Sequence, residues 1–101
     1  MRTLLKIQIP VEAGNAAITQ GTLPTVLQGT LGQLQPEASY FFSAEGQRSA
    51  FIVFDLSDPS QIPVIAEPLF QGLNAHVEFI PVMNLDDLRA GLDQLGGGQS
   101  Q

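Results

Sequence analysis

Residues 38–56 read ASYFFSAEGQRSAFIVFDL, and this stretch decides the fold. Ala38 to Ser43 and Gln47 to Leu56 are rich in the aromatic and β-branched residues that favour strands. Only Ala44-Glu45-Gly46 separates the two runs, and a glycine readily adopts the positive φ that a tight turn requires. The stretch therefore predicts a β-hairpin in the middle of the chain.

One strand and two helical segments are predicted before the hairpin. Residues 2–9 alternate between apolar and polar side chains, which predicts a strand with one apolar face. Residues 11–21 are weakly patterned and predict a short helix. Thr22 is then expected to be the N-cap of a second helix with Pro24 in its first turn, because apolar residues recur every three or four positions until Pro36.

A helix, a strand and a last helix are predicted after the hairpin. Ser57-Asp58-Pro59 is typical of a helix start, and Pro68 inside this helix predicts a kink or a break. Residues 75–82 alternate again, and Pro81 restricts that strand to a sheet edge or a strand end. Asn84 is the expected cap of a last helix whose leucines share one face.

The predicted order is β-α-β-β-α-β followed by one more helix, which is a ferredoxin-like α+β fold with an additional C-terminal helix. Its four-stranded antiparallel sheet has the strand order 4-1-3-2, which places the strand containing Pro81 at an edge. We expect one domain over residues 1–95 and a flexible Gly/Gln tail over residues 96–101.

Composition excludes several classes of function. The 101 residues carry a formal net charge of −6, the wrong sign for binding nucleic acid or anionic membranes. The chain has no cysteine and one histidine, too few ligands for a zinc site, so we expect neither a metal nor a cofactor. We also find no signal-peptide or membrane-spanning pattern, and we expect a cytoplasmic protein.

The predicted fold leaves one face of the sheet uncovered, because right-handed crossovers place both connecting helices on the same side. If Leu5, Ile7 and Ile9 meet the helices, then Leu4, Lys6 and Gln8 lie on the open face. The hairpin leaves two alternatives, since the residues of either parity are apolar: Tyr40 and Phe42 with Phe51 and Val53, or Phe41 with Ile52 and Phe54. Either alternative exposes aromatic rings, so we expect a homodimer that forms through the sheet face.

The element order, together with Pro10-Val11-Glu12-Ala13-Gly14-Asn15 and Phe54-Asp55-Leu56, resembles the dimeric α/β-barrel superfamily. It is similar in particular to small bacterial proteins of that superfamily whose role is uncharacterised. The resemblance implies two ferredoxin-like chains whose sheets pair into a barrel. Members include cofactor-free monooxygenases, isomerases, haem-degrading enzymes and ligand-sensing domains, so the resemblance selects no single function.

The first and fourth strands are predicted neighbours, and their polar residues are the best candidates for a site. His76 and Glu78 are the candidate catalytic residues, as a proton shuttle and its orienting partner or base. Lys6 is a candidate anchor for an anionic ligand. The opposing interpretation is a Lys6–Glu78 ion pair on a solvated sheet. Further candidate ligand-binding residues, each of which also has a purely structural interpretation, are Gln8, Tyr40 and Asn15.

Three functions are compatible with these residues. The first is a homodimeric small-molecule-binding or structural protein with a ligand cavity on the sheet face. The alternative is a cofactor-independent isomerase or monooxygenase that acts on a hydrophobic or anionic ring compound. The third is a module that docks to another protein through a sheet edge. The absence of a catalytic motif favours the first.

Overall fold

The computed structural model describes residues 1–96 as an α+β protein with four strands and four helices. Residues 97–101, most of the predicted tail, lie outside the described residues. In chain order the elements are β1 (Arg2–Ile9), α1 (Val11–Gln20), α2 (Thr22–Leu34), β2 (Ala38–Ala44), β3 (Gln47–Asp55), α3 (Gln61–Leu73), β4 (His76–Pro81) and α4 (Leu85–Gly96).

The four strands form one antiparallel sheet in the order β2-β3-β1-β4, which reads 4-1-3-2 from the β4 edge. Pro81 is the last residue of β4, an edge strand, so its missing N–H interrupts no inner ladder. The hairpin turns at Glu45 and Gly46, which have φ values of 55° and 73°. Two consecutive positive φ values match the twist of the flanking strands, and the predicted hairpin is confirmed.

The core lies on one side of the sheet. Thr3, Leu5, Ile7 and Ile9 of β1 are buried and face α1 and α3, as the alternation predicts. Burying a large aliphatic side chain contributes roughly 1.5–3 kcal/mol. The buried residues that complete this layer are Ala17, Ala50, Ile52, Phe54, Leu56, Ile65, Leu69, Leu73 and Ala75.

The junction of α1 and α2 differs from its prediction. Gly21, with φ 77°, separates the two helices, and Thr22 is already the first residue of α2. Thr22 therefore does not act as a side-chain N-cap. A left-handed glycine allows the chain to turn between two helices without the steric cost that a Cβ would cause.

The start of α3 also lies later than the sequence indicates. The helix begins at Gln61, and Asp58 instead forms a turn in which its Oδ1 accepts a 2.8 Å hydrogen bond from the Ser60 backbone N–H. Hydrogen bonds from the side chain and backbone of Ser60 lower the pKa of the Asp58 carboxyl. Asp58 thus stabilises the approach to the helix rather than capping it.

Pro68 does not split α3, which runs without a break from Gln61 to Leu73. The residue is exposed, while Ile65 and Leu69 on the opposite side are buried. Because Pro68 has no N–H, the carbonyl of Val64 one turn earlier loses its helical donor. Val64 is itself exposed, so solvent can satisfy this carbonyl.

Helix α4 begins as predicted and then leaves the body of the protein. Asn84 Oδ1 accepts from the Asp87 N–H at 2.8 Å, and Asp87 Oδ2 accepts from the Asn84 N–H at 3.1 Å, which is a reciprocal capping box. Asp87 also contacts Arg2 Nη1 at 3.4 Å, while Arg2 Nε donates to Glu37 at 2.7 Å. None of the described residues of α4 is buried, and the molecule is elongated, with extents of 60 × 28 × 17 Å.

We predict that Pro68→Ala raises the free energy of unfolding by about 2 kcal/mol, because it restores a helical hydrogen bond and removes a poor helix former. Pro63→Ala is the matched control. Pro63 is the third residue of α3, where an N–H has no helical acceptor, so this change should be close to neutral. Urea unfolding measures both values, and equal effects of the two substitutions would contradict the interpretation.

We predict that the stabilisation contributed by Asp58 is lost in acid. Its folded-state pKa is lowered, so the contribution is present above the unfolded-state pKa of about 3.9 and disappears as the pH falls through the folded-state value. Asp58→Asn keeps an acceptor but does not titrate. Urea unfolding at neutral pH and at about pH 2 should show a stability difference between the two proteins that shrinks in acid. An unchanged difference would contradict the prediction.

Candidate functional site

The strand register settles which hairpin residues share a face with Lys6. Lys6 pairs with Phe51 on one side and with Glu78 on the other, and Phe51 pairs with Tyr40. We call the side of the sheet turned away from α1 and α3 the open face. The residues whose register places them there are Arg2, Leu4, Lys6, Gln8, Ala38, Tyr40, Phe42, Ala44, Gln47, Ser49, Phe51, Val53, Asp55, His76, Glu78 and Ile80.

Aromatic side chains occupy the β2–β3 half of the open face. The rings of Phe42 and Phe51 meet edge to face with their centroids 4.7 Å apart. Tyr40, on the edge strand, is 64% exposed. Phe41 points to the other side of the sheet with the buried residues Ile52 and Phe54. The open face therefore carries an aromatic cluster that no helix of the described chain buries.

Polar side chains occupy the β1–β4 half of the same face. Lys6 Nζ lies 3.5 Å from Glu78 Oε2 between partly exposed side chains. Gln8 Nε2 donates to Glu45 Oε1 at 3.2 Å and to the Ala44 carbonyl at 3.3 Å. His76 lies opposite Gln8 in the register and is exposed. Four of the predicted site residues, Lys6, Gln8, His76 and Glu78, thus lie together.

The hydrogen bonds and ion pairs among Lys6, Gln8, His76 and Glu78 limit the chemistry that these four side chains can perform. Within residues 1–96, no hydrogen bond joins His76 to Glu78, and the Glu78 carboxylate is directed toward Lys6. A base and its orienting partner normally lie within hydrogen-bond reach of each other. These side chains are therefore arranged as an ion pair with a nearby imidazole, which suits the recognition of a polar or charged ligand group.

A small depression lies where the aromatic and polar halves meet. Its volume is about 130 Å³, and its walls include Lys6, Gln8, Phe42 and Phe51. Pockets that enclose a drug-sized molecule occupy roughly 300–1,000 Å³. One open face is therefore too shallow to enclose such a ligand, and a second wall is needed.

Asn15 does not belong to this group. It lies in α1, on the opposite side of the sheet, and its Oδ1 accepts a 3.0 Å hydrogen bond from Arg48 Nη2. Arg48 pairs in register with Ile9, whose side chain faces the helices. The helix predicted after Pro10 starts at Val11, so Asn15 lies within α1 and apart from the other candidate ligand-binding residues.

Sequence reasoning missed a larger cavity on the helix side. It measures about 490 Å³ and lies between α2 and the strands β1, β2 and β3. The signal for it was present but indirect, because Leu23 and Leu27 in α2 and Phe41 in β2 are apolar residues that the helical layer does not fully cover.

Other kinds of site find no support in the described part of the chain. Residues 1–96 contain no group of three His, Cys, Asp or Glu side chains that could hold a metal ion. Among these residues, no helix has the length and apolar character needed to cross a membrane.

Comparison with models of known protein families gives no match for this chain, and no curated protein is significantly similar to it.

Proposed function

We propose that the chain is a small-molecule-binding protein that acts as a homodimer of ferredoxin-like domains, with the open faces of two copies turned toward each other as in a dimeric α/β barrel. The observation that carries this proposal is the aromatic cluster of Tyr40, Phe42 and Phe51 on a sheet face that residues 1–96 leave uncovered. A contiguous apolar patch of this kind marks an interaction surface.

The open face alone is smaller than a typical protein–protein interface, so a stable partner must also contact residues outside the sheet. Strands spaced about 4.8 Å apart, with about 3.3 Å per residue, give four strands of about six residues a flat area of about 400 Å². A specific interface buries about 800 Å² per partner. Side chains make the accessible area larger than the flat area, and α4 offers further apolar surface for the same partner.

Helix α4 has the pattern of an interface helix. Leu85, Leu88 and Leu92 lie on one face at three- and four-residue spacing, and they are 58%, 39% and 54% exposed. A second copy has an uncovered sheet face and an uncovered helix of the same kind. Two copies related by a two-fold axis can therefore bury both surfaces with one repeated set of contacts.

Charge on the open face does not oppose this pairing, although each chain carries −6. The acidic groups in the open-face strands have cationic partners, Glu78 with Lys6 and Asp55 with the Met1 amino group at 2.6 Å. Local charges that neutralise each other leave only the screened repulsion between more distant acids.

Pairing of the two faces would also complete the ligand site. Two depressions of about 130 Å³ face each other across the proposed dimer, together with the gap between the sheets. Phe42 and Phe51 offer a ring compound apolar and edge-to-face contacts, and Lys6 offers a positive charge. The ligand class that fits is a small hydrophobic molecule, with an anionic group close to Lys6.

Binding has better support than catalysis, because the candidate base Glu78 pairs with Lys6 and not with His76. The isomerase or monooxygenase alternative requires His76 or Glu78 to move a proton on the bound compound. Once the ligand is known, His76→Ala distinguishes binding from catalysis. A binding protein forms no product from the ligand with or without His76, whereas an enzyme forms product and loses this activity in the variant.

We predict that the protein sediments at micromolar concentration with about twice the chain mass of 10.8 kDa. Phe51→Lys should shift it to the single-chain mass, because each copy then places its Lys6 ammonium and the introduced ammonium between the sheets, and these like charges repel. Phe70→Lys is the matched control, since Phe70 is 41% exposed on α3, on the other side of the sheet.

Tyr40→Lys provides a second test that leaves the Phe42–Phe51 contact intact, and circular dichroism confirms that each variant is folded. A wild-type protein that sediments as a single chain would overturn the proposed dimer. So would a dimer that both Phe51→Lys and Tyr40→Lys leave unaffected. Native mass spectrometry of the dimer should show an additional discrete mass if the cavity retains its ligand.

A further inference from the structure

We infer that the cavity on the helix side is a second binding site, for a monocarboxylate with an apolar body such as a medium-chain fatty acid. We call this cavity the α2 groove. Its floor is formed by Ile7 and Ile9 of β1 and by Ala50 of β3, and Arg48 lies in its lining. The groove opens beside α2 on the helix side of the sheet, and it shares only Ile7, Phe42 and Ser49 with the lining of the open-face depression.

The groove exists because α2 packs beside the other helices more than onto the sheet. Its main contacts are with α1 and α3, and Thr30 is its only buried residue. Leu23 and Leu27, one turn apart, remain half-buried and form one wall, while Phe41 on the edge strand forms the other and is 54% exposed. The small side chain of Ala50 leaves the space between the walls open.

The shape and lining suit an apolar molecule of moderate size. The volume of about 490 Å³ falls within the range of roughly 300–1,000 Å³ that is usual for small-molecule sites. Apart from Arg48 and the two serines Ser43 and Ser49, its lining is aliphatic or aromatic, so burial of a hydrocarbon chain would contribute about 0.8 kcal/mol per methylene group. The apolar surface therefore supplies affinity without selecting a head group.

Arg48 determines which head group the α2 groove selects. Its Nη2 donates to Asn15 Oδ1 at 3.0 Å, which holds the guanidinium in place with a neutral group. Within residues 1–96 no carboxylate lies within 4 Å of this guanidinium, and its other N–H groups donate to no described atom. A half-buried guanidinium with free donors is suited to a carboxylate, which it can bind with two parallel hydrogen bonds.

Gly14 is part of the same arrangement. A Cβ at this position would lie 2.6 Å from Arg48 Nη1 and 3.4 Å from Arg48 Cδ, so only glycine lets the side chain lie across α1. Gly14→Ala should therefore displace the guanidinium while it improves the helix propensity of α1. This variant separates the position of the charge from its presence.

The test is an NMR titration of the isotope-labelled full chain with decanoate, kept below the concentration at which it forms micelles. We expect one decanoate per chain, with the largest shifts at Leu23, Leu27 and Phe41. Arg48→Gln should weaken binding about tenfold or more, as the loss of a charged hydrogen-bonded contact implies. Gly14→Ala should also weaken it, although that protein remains folded.

Two controls make the result specific. Arg89→Gln removes one positive charge from exposed α4 and should leave the affinity for decanoate unchanged. The neutral analogue 1-decanol should bind wild type more weakly than decanoate does, and Arg48→Gln should not alter its binding.

Three results would overturn the inference: no binding of decanoate by wild type, equal affinity of wild type and Arg48→Gln, or shifts confined to Leu4, Phe51 and their neighbours. The last result would place the ligand on the open face and support the function proposed above. Binding in the α2 groove by a protein that sediments as a single chain would support the groove and overturn the dimer.

Discussion

The structure depends on one constraint, which is that three helices of this small chain cover only one face of its sheet. β1 is the central strand and pairs on both sides, with β3 and with β4. Its odd-numbered residues from Thr3 to Ile9 are buried in the core, and the residues between them lie on the open face. A shift of the register by one residue would exchange the two sets, so burial of the apolar set fixes the position of every open-face side chain.

The two faces of the sheet offer different chemistry because the helices shield one face from solvent and leave the other exposed. On the helix side, polar groups are excluded except where they are held, as Arg48 is by Asn15, so the cavity there is an apolar groove with one cation. On the open face, charged groups remain near solvent, and Lys6 and Glu78 pair at little cost. Aromatic rings lie beside them, because the hairpin strands are apolar on both of their sides.

Much of the fold could be predicted from local patterns. The hairpin, the reciprocal cap of α4 by Asn84 and Asp87, and the position of Pro81 on an edge strand each follow from the chemistry of a few neighbouring residues. Local patterns were less reliable where two motifs compete. Gly21 rather than Thr22 separates α1 from α2, and Asp58 forms a turn before α3, since cap-forming residues also favour turns.

The sequence by itself determined the order of the elements, the apolar face of β1 and the common face of Lys6, Gln8, His76 and Glu78, because alternation and neighbouring strands are encoded residue by residue. Only the tertiary structure decided that Tyr40, Phe42 and Phe51 lie on the open face, since both parities of the hairpin are equally apolar and the pairing with β1 selects between them. It also separated Asn15 from the other candidates and left a groove beneath α2. These outcomes depend on how far each helix packs from the sheet, which no local pattern specifies.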